Sequence, residues 1–182
     1  MGKVDVFVTV GTDHHAFDRA VHRADELARR GRSVVVQYGT SRPPEVAEGY
    51  DYVPIGRLEE LMRTAAVVVT HGGPATIMQA RDLGVLPVVV ARDPEHHEHV
   101  DGHQLRFAAR LSGLGTVVDG QADEAFYAAI DRALANPDEF RVATTSARTD
   151  EVVATIGDLI DTMVATRRDG AKPARTRRWW RR

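Results

Sequence analysis

The chain contains no cysteine among its 182 residues, and this absence excludes disulfide bonds and thiol chemistry. Aromatic residues make up only 6% of the sequence. No apolar run approaches the roughly 18 residues that a membrane-spanning helix requires. The first residues enter a predicted strand directly, which predicts that the chain carries no signal peptide. The length suits a single domain with a real hydrophobic core, and the composition favours a cytoplasmic protein.

Charge is distributed unevenly along the chain. The net charge is −2, but residues 167–182 carry seven Arg and one Lys against one Asp, a net +7, which leaves −9 for the rest. This tail lacks the apolar content to fold alone. Its Trp179 and Trp180, set among arginines, suit an anionic membrane surface, an acidic partner or nucleic acid, and a purely solubilising tail is the alternative. We predict a globular domain over residues 1–166 and a flexible basic tail over residues 167–182.

Hydrophobic periodicity predicts that strands and helices alternate along the chain. The predicted strands lie at residues 4–10, 33–38, 50–53, 66–70, 86–91 and 115–118, and the predicted helices at residues 16–30, 58–64, 74–83, 103–111 and 123–135. A last helix is predicted from residue 138 to about residue 166, with an interruption near residues 144–146. This order predicts an α/β fold, a Rossmann-like parallel sheet with helices on both faces. Ligands of such sheets bind at the carboxyl ends of the strands.

The segment after the fourth predicted strand is the strongest functional signal. It reads His71-Gly72-Gly73-Pro74-Ala75-Thr76, a two-glycine turn followed by a helix that begins at proline. Glycines let the backbone approach a ligand, and a helix N-terminus offers free N–H groups and partial positive charge to a phosphate. The Thr76 hydroxyl lies in the first turn, where it can donate to the same anion. The segment therefore predicts a diphosphate-binding turn.

A second motif begins at Pro87-Val88-Val89-Val90-Ala91-Arg92-Asp93-Pro94 and continues as Glu98-His99-Val100-Asp101-Gly102-His103-Gln104. With Val8-Thr9-Val10-Gly11-Thr12 and the two-glycine turn, it resembles the nucleotide-sugar-binding half of GT-B glycosyltransferases over residues 4–134. The resemblance is to the C-terminal domain of the peptidoglycan UDP-N-acetylglucosamine transferase and to the small soluble subunit of two-part UDP-sugar transferases.

The resemblance implies a role for each matching position. Gly11 and Thr12 correspond to the first turn of the cleft, and Gly39 to the turn near the nucleotide base. Gln79 stands where the family usually has a glutamate that holds the ribose, so it loses the charge of that group. The complete implied set for donor and nucleotide binding is Gly11, Thr12, Gly39, His71, Gly72, Gly73, Thr76, Gln79, Asp101, His103 and Gln104.

The resemblance also implies a function. The chain is expected to be the UDP-sugar-binding catalytic subunit of a two-part glycosyltransferase in cell-envelope or exopolysaccharide glycan synthesis. A membrane-anchored partner would hold the lipid-linked acceptor, and the chain would lie at the cytoplasmic face of the membrane. A non-enzymatic nucleotide-binding regulatory module on the same fold is the alternative. Nucleic-acid binding through the tail is a third and weaker interpretation, because the body is acidic.

Histidines are the candidate catalytic groups, namely His14 and His71, although the base for the acceptor hydroxyl can also lie on the partner. The alternative for His71 is a ring that closes the strand end against Pro74. His14 and His15 are predicted to begin a helix behind an Asp13 N-cap, where they can equally be surface residues. Four further histidines, at His96, His97, His99 and His103, invite a metal interpretation. No stable metal site is predicted from them, because the loop lacks cysteine and regular ligand spacing, and no cofactor beyond the donor is expected.

Overall fold

The structure is a computed structural model, and it describes residues 4–144 together with Ile156. Six parallel strands form one sheet in the order β3-β2-β1-β4-β5-β6. The strands are β1 (Val6–Thr9), β2 (Val34–Gln37), β3 (Glu48–Tyr50), β4 (Val67–Thr70), β5 (Val88–Val89) and β6 (Val118–Asp119). The order reverses direction at β1 and β4, so the loops that follow these two central strands border the crevice where such sheets bind ligands.

Helices cover both faces of the sheet. They are α1 (Asp18–Arg29), α2 (Ile55–Thr64), α3 (Pro74–Asp82), α4 (His103–Gly113) and α5 (Asp123–Ala135). Successive residues of β1 point to opposite faces, and the core divides accordingly. Val6 and Val8 pack in the cluster that contains residues of α1 and α5, whereas Phe7 packs with residues of α2 and α3. The predicted Rossmann-like α/β fold, with its parallel sheet and helices on both faces, is confirmed.

The central strands are buried on both faces, as their unbroken runs of valine predict. All four residues of β1, β2 and β4 are buried. A parallel sheet covered on both sides needs apolar residues at every position, rather than at alternate positions. The helices contribute one apolar stripe each, so α1 buries Val21, Ala24 and Leu27 while its opposite side stays polar.

The sequence prediction was wrong about the third strand and about the segment after α5. The third strand lies at Glu48–Tyr50 rather than at residues 50–53, so Tyr52 follows the strand and stays exposed. Instead of continuing as a helix from residue 138, the chain forms a 3₁₀ turn at Pro137–Phe140 and then a β-bridge from Arg141 to Val85. Two backbone hydrogen bonds hold this segment extended, from Leu86 N–H to the Phe140 carbonyl and from Val142 N–H to the Gly84 carbonyl.

Two predictions fall largely outside the described residues. These are the remainder of the long C-terminal helix and the basic tail at residues 167–182. Within residues 4–144, no helix combines the length and the apolar character that crossing a bilayer demands.

Candidate active site

A cleft of about 380 Å³ opens at the carboxyl ends of β1, β2 and β4. Its size lies in the range of small-ligand sites. One side is polar and formed by the turns that follow these strands, and the other side is mainly apolar. The lining residues are Thr9, Gly11, Thr12, Gln37, Tyr52, Val53, Ile55, Leu58, His71, Gly73, Pro74, Ala75, Thr76 and Gln79.

The N-terminus of α3 opens into this cleft. Gly73 is the N-cap residue, Pro74 is the first helical residue, and no side chain caps the helix. The first intrahelical hydrogen bond that follows the cap runs from Ile77 N–H to the Gly73 carbonyl, at 3.2 Å. The amides of Ala75 and Thr76 precede this bond and belong to the turn whose N–H groups have no intrahelical acceptor. They therefore present donors and the positive end of the helix dipole to the cleft.

The His71 ring fills the space between the two glycine turns. A Cβ atom at Gly11 or at Gly73 would overlap this ring, so packing against it requires glycine at both positions. Nδ1 of His71 is buried and has no hydrogen-bond partner among the residues that the structure describes. Burial, reinforced by the Arg92 charge, lowers the pKa of His71 to about 4. The ring is therefore neutral near pH 7.

A hydrogen-bond network fixes the turn after β1. The Thr9 hydroxyl donates to Gln37 Oε1 at 2.6 Å, and Gln37 Nε2 donates to the Gly11 carbonyl at 3.3 Å. Gly11 has a φ of +77°, which favours glycine. Gly39 lies behind this turn and does not line the cleft, and a Cβ atom there would lie 3.2 Å from the Gly11 carbonyl oxygen. Sequence reasoning missed Gln37 as a site residue, because it ends a strand of buried valines.

The apolar wall of the cleft, formed by Tyr52, Val53, Ile55 and Leu58, was also missed. Tyr52 is 53% exposed and Ile55 is 66% exposed. The sequence analysis assigned residues 50–53 to a short strand and did not predict a wall of the cleft there.

Asp101 and His103 do not reach the cleft but join a second group of polar side chains. We call this group the histidine cluster, and its members are Asp13, His14, His15, His99, Asp101 and His103. The rings follow one another in a series of tilted and edge-on contacts, with centroid separations of 4.0 Å from His14 to His15, 5.7 Å from His15 to His99 and 4.7 Å from His99 to His103. The cluster joins two loops that are far apart in the sequence.

The prediction that Asp13 is an N-cap, with His14 and His15 beginning the helix, was wrong. Helix α1 begins at Asp18 with Phe17 as its N-cap, so His14 and His15 lie in the preceding loop. The Asp13 carboxylate instead accepts hydrogen bonds from the His15 backbone N–H at 2.8 Å and from the His15 ring at 2.6 Å. Burial raises the pKa of Asp13, but these hydrogen bonds and the Arg92 charge outweigh it and lower the pKa to about 2. The His14 side chain is 84% exposed and does not line the cleft.

Arg92 lies between the strand that leads into the cleft and the two loops of the histidine cluster, and hydrogen bonds connect it to both. Its guanidinium is buried and donates to the carbonyls of Val10 at 2.9 Å, His15 at 2.7 Å and Glu98 at 3.1 Å. The Glu98 carboxylate in turn accepts from Arg19 at 2.7 Å. The sequence analysis named Arg92 only as part of the second motif. Its role as a buried clamp on two loops was not predicted.

Gln104 and Gly72 lie against each other beneath the cleft. A Cβ atom at Gly72 would lie 3.0 Å from Gln104 Cβ and 3.1 Å from Ala91 Cβ, so close packing requires glycine here. Gln104 Oε1 is buried and finds no hydrogen-bond partner within the described residues. Neither residue lines the cleft.

Comparison with known proteins adds the family to this geometry. The chain matches the glycosyltransferase family 28 C-terminal domain over residues 5–157. The protein belongs to this family. In this family 28 domain, residues of the two-glycine turn and of α3 line the cleft. Asp101 and His103 lie in the neighbouring histidine cluster.

Two solved structures share the fold of this family 28 domain. The calicheamicin glycosyltransferase CalG4 is 19% identical with a TM-score of 0.51, and covers 75% of this chain and 36% of its own. The glycotransferase of kitacinnamycin is also 19% identical, with a TM-score of 0.54 and coverages of 76% and 36%. The family 28 domain thus spans about a third of the length of these structures. A search of curated proteins finds no match.

Proposed function

We propose that the family 28 domain binds a UDP-sugar in the cleft and transfers the sugar to a lipid-linked acceptor held by a membrane-anchored partner chain. The observation that carries this proposal is the uncapped N-terminus of α3, which opens into a cleft of suitable size beside Thr76. The activity belongs to cell-envelope or exopolysaccharide glycan synthesis, at the cytoplasmic face of the membrane.

The diphosphate is placed at the start of α3. The amides of Ala75 and Thr76 and the Thr76 hydroxyl supply donors, and the helix dipole supplies positive potential where the leaving diphosphate gains charge. Neutral His71 adds a ring that can donate or accept a hydrogen bond without adding charge. This turn thus supplies, from the chain itself, the stabilisation that a metal ion supplies in other transferases.

The nucleoside is placed against the apolar wall. Gln79 follows Thr76 by one helical turn and also lines the cleft, so both side chains face the same ligand. Gln79 offers a carbonyl acceptor to the ribose hydroxyls. The exposed Tyr52 ring and Ile55 side chain offer a surface on which the uracil base stacks.

The base that deprotonates the acceptor hydroxyl is assigned to the partner or to the loop after β1. A pKa of about 4 makes His71 a weak base, so we give it a hydrogen-bonding role at the donor. His14 is exposed beside the cleft, where an acceptor on a second chain can reach it. This division of roles explains why the isolated chain should bind donor yet transfer little sugar.

One observation favours a second function, a nucleotide-binding module without activity. Gln79 replaces the charged group that the ribose is expected to meet, and the cleft lining contains no carboxylate among the described residues. The two functions differ in turnover rather than in binding. The enzyme function is supported if sugar is transferred when the chain is mixed with membranes from its source organism, and not when either component is tested alone. Donor binding without transfer in the combined system supports the module.

The diphosphate site is tested by calorimetric titration of the full chain with UDP, UDP-sugars and ATP. Thr76→Val keeps the side-chain shape and removes the hydroxyl, so UDP affinity should fall about tenfold, the loss of one hydrogen bond to a charged group. Thr64→Val at the far end of α2 is the matched control and should change affinity less than twofold. Equal affinities of the wild type and Thr76→Val would refute this position for the diphosphate.

A further inference from the structure

Within the histidine cluster, Asp13 and His15 form a carboxylate–imidazole pair. Asp13 Oδ1 accepts hydrogen bonds from the His15 backbone N–H at 2.8 Å and from the ring nitrogen Nδ1 at 2.6 Å. The carboxylate is ionised at neutral pH because its pKa is about 2, so it can only accept hydrogen bonds. A neutral His15 ring therefore carries its proton on Nδ1 and keeps a lone pair on Nε2. The side chain is 21% exposed, and Nε2 has no hydrogen-bond partner among the described residues.

Neighbouring groups hold this pair in its charged form. His99 Nδ1 accepts a backbone N–H at 3.4 Å, so a neutral His99 ring carries its proton on Nε2. That nitrogen lies 3.9 Å from Asp13 Oδ2, and the Arg92 guanidinium adds a positive charge nearby. The rings of His14 and His99 lie on either side of His15 in the series of ring contacts, with centroids 4.0 Å and 5.7 Å away. The direction of the His15 ring is thus fixed by a hydrogen bond and by packing.

The turn that carries the pair also borders the donor cleft. Arg92 donates to the Val10 carbonyl at 2.9 Å and to the His15 carbonyl at 2.7 Å, so both ends of the turn are held. Between these ends, Gly11 and Thr12 line the cleft. Three residues of chain span at most about 11 Å, so His15 lies within this distance of Thr12. The pair therefore lies beside the place proposed for the donor.

The other histidines near the cleft suit the role of a base less well. His14 Nδ1 lies 3.8 Å from Asp13 Oδ1, which is too far for a hydrogen bond. His71 is buried and has a pKa of about 4, which makes it a weak base. His103 makes the same kind of pair with Asp101, but no residue of the loop at 98–103 lines the cleft. Among the described residues, one histidine alone combines a carboxylate partner with a place on the cleft turn.

We propose that His15 is the catalytic base of the sugar transfer and that Asp13 is its positioning residue, an inference that rests on the proposed function. Nε2 of His15 takes the proton of the acceptor hydroxyl while the acceptor oxygen bonds to the anomeric carbon of the sugar. The bond from that carbon to the diphosphate oxygen breaks, and UDP leaves with the electron pair. The Asp13 carboxylate stabilises the protonated ring, which then releases its proton to water. The partner thus supplies the acceptor, and this chain supplies the base.

Sugar transfer from radiolabelled UDP-glucose, UDP-galactose and UDP-N-acetylglucosamine to membranes of the source organism tests His15. A general base contributes about 10²–10⁴-fold, so His15→Gln should lower the initial rate at saturating donor at least tenfold. His22→Gln and His96→Gln alter exposed histidines outside the cluster and should keep the wild-type rate. Calorimetric titration with UDP should give the wild-type affinity for all three variants, which also shows that they are folded.

The outcomes separate this inference from the proposed function. A loss below tenfold in His15→Gln, or a larger loss in His14→Gln than in His15→Gln, would overturn the assignment of the base while transfer by the wild type leaves the proposed function in place. A wild-type chain that binds UDP but transfers no sugar with the membranes would overturn both.

Asp13→Asn tests the positioning role. The amide oxygen can still accept the backbone N–H, so the turn is kept, but a neutral amide stabilises the protonated ring less than a carboxylate does. The rate should fall, and the acidic limb of its pH profile should move to lower pH. The other titratable or charged groups that face the ring are His14, His99 and Arg92, and they are unchanged in this variant. A wild-type profile in Asp13→Asn would overturn the role of Asp13.

Nitrogen NMR of the full chain tests the geometry without any activity. The spectrum of His15→Gln identifies the His15 ring signals by their loss. At about pH 8, where an ordinary imidazole is neutral, the wild-type ring should carry its proton on Nδ1. A proton on Nε2 would leave no lone pair for the acceptor hydroxyl and would overturn the proposal.

Discussion

At the scale of single residues, His71 connects the packing of the cleft with its chemistry. The ring takes up the space that two glycines leave, and the buried Nδ1 has no partner within the described part of the chain. A protonated ring in this position would be a buried cation beside Arg92. The folded protein therefore keeps His71 neutral, so its free energy of unfolding should depend on pH.

Stability should fall between pH 6.5 and pH 4 because of His71. Its pKa drops from the usual 6.5 to about 4 on folding, so in this window the unfolded chain binds a proton that the folded chain does not. The stabilisation is complete above pH 6.5 and decreases by up to about 3 kcal/mol as the pH falls to 4. Urea unfolding at several pH values should show a shallower slope for His71→Gln than for the wild type. His22→Gln, an exposed histidine of α1, should keep the wild-type slope, and an unchanged slope in His71→Gln would contradict the assignment.

At the scale of elements, the prediction of α3 and its turn depended on local chemistry. Proline at the first helical position and glycine before it mark the helix start, and the structure begins α3 at Pro74 as expected. Helix α5 likewise occupies residues 123–135 as predicted. The third strand was misplaced because Glu48, Gly49 and Tyr50 are exposed and show no apolar pattern. The strand predicted at Leu86–Ala91 is observed only at Val88–Val89, although the Val90 N–H still donates to the Thr70 carbonyl at 3.0 Å.

The site was predictable only where it is local in sequence. Gly11, Thr12, His71, Gly73, Thr76 and Gln79 line the cleft as expected for the donor site, although their binding roles stay predictions. The histidine cluster was not predicted, because residues 13–15 and 99–103 meet only through the sheet and the clamp. In the sequence alone, the histidines of residues 96–103 do not show the regular spacing of metal ligands. Contact between two loops that are distant in sequence arises from the tertiary structure, so a short sequence pattern does not predict it.

The contact between the two-glycine turn and the turn after β1 can be tested by paired substitutions. Gly73→Ala places a Cβ atom against the His71 ring, and overpacking of this kind costs about 1–3 kcal/mol. In the background of His71→Ala the same change should cost less than 0.5 kcal/mol, which is an order-of-magnitude expectation for a site without the overlap. Denaturant unfolding of the two single variants and the double variant measures the coupling. Additive losses would show that the ring is not what requires glycine at position 73.

At the scale of the whole molecule, the proposed function assigns one contact to the donor cleft and a separate one to the basic tail. The donor cleft and the histidine cluster lie on one edge of the sheet, where the proposed acceptor-binding chain has to dock. The basic tail at residues 167–182 lies outside the described residues, and its role rests on its sequence. Its charge of +7 opposes the −9 of the rest of the chain, so the two parts should respond to different surfaces.

Removal of residues 167–182 should separate membrane attachment from donor binding. Each basic residue near an anionic bilayer contributes about 1 kcal/mol, so the full chain should co-sediment with phosphatidylserine-containing vesicles and the shortened chain should not. Added salt should weaken the attachment because it screens charge, whereas Trp179 and Trp180 add an interfacial term that salt does not screen. Replacing both tryptophans by alanine should therefore leave an attachment that is weaker and more sensitive to salt. UDP affinity and melting temperature should stay the same in all of these chains, since the cleft is built by residues 9–79. Equal sedimentation of full and shortened chains, with and without the partner, would show that the tail does not attach the protein to the membrane.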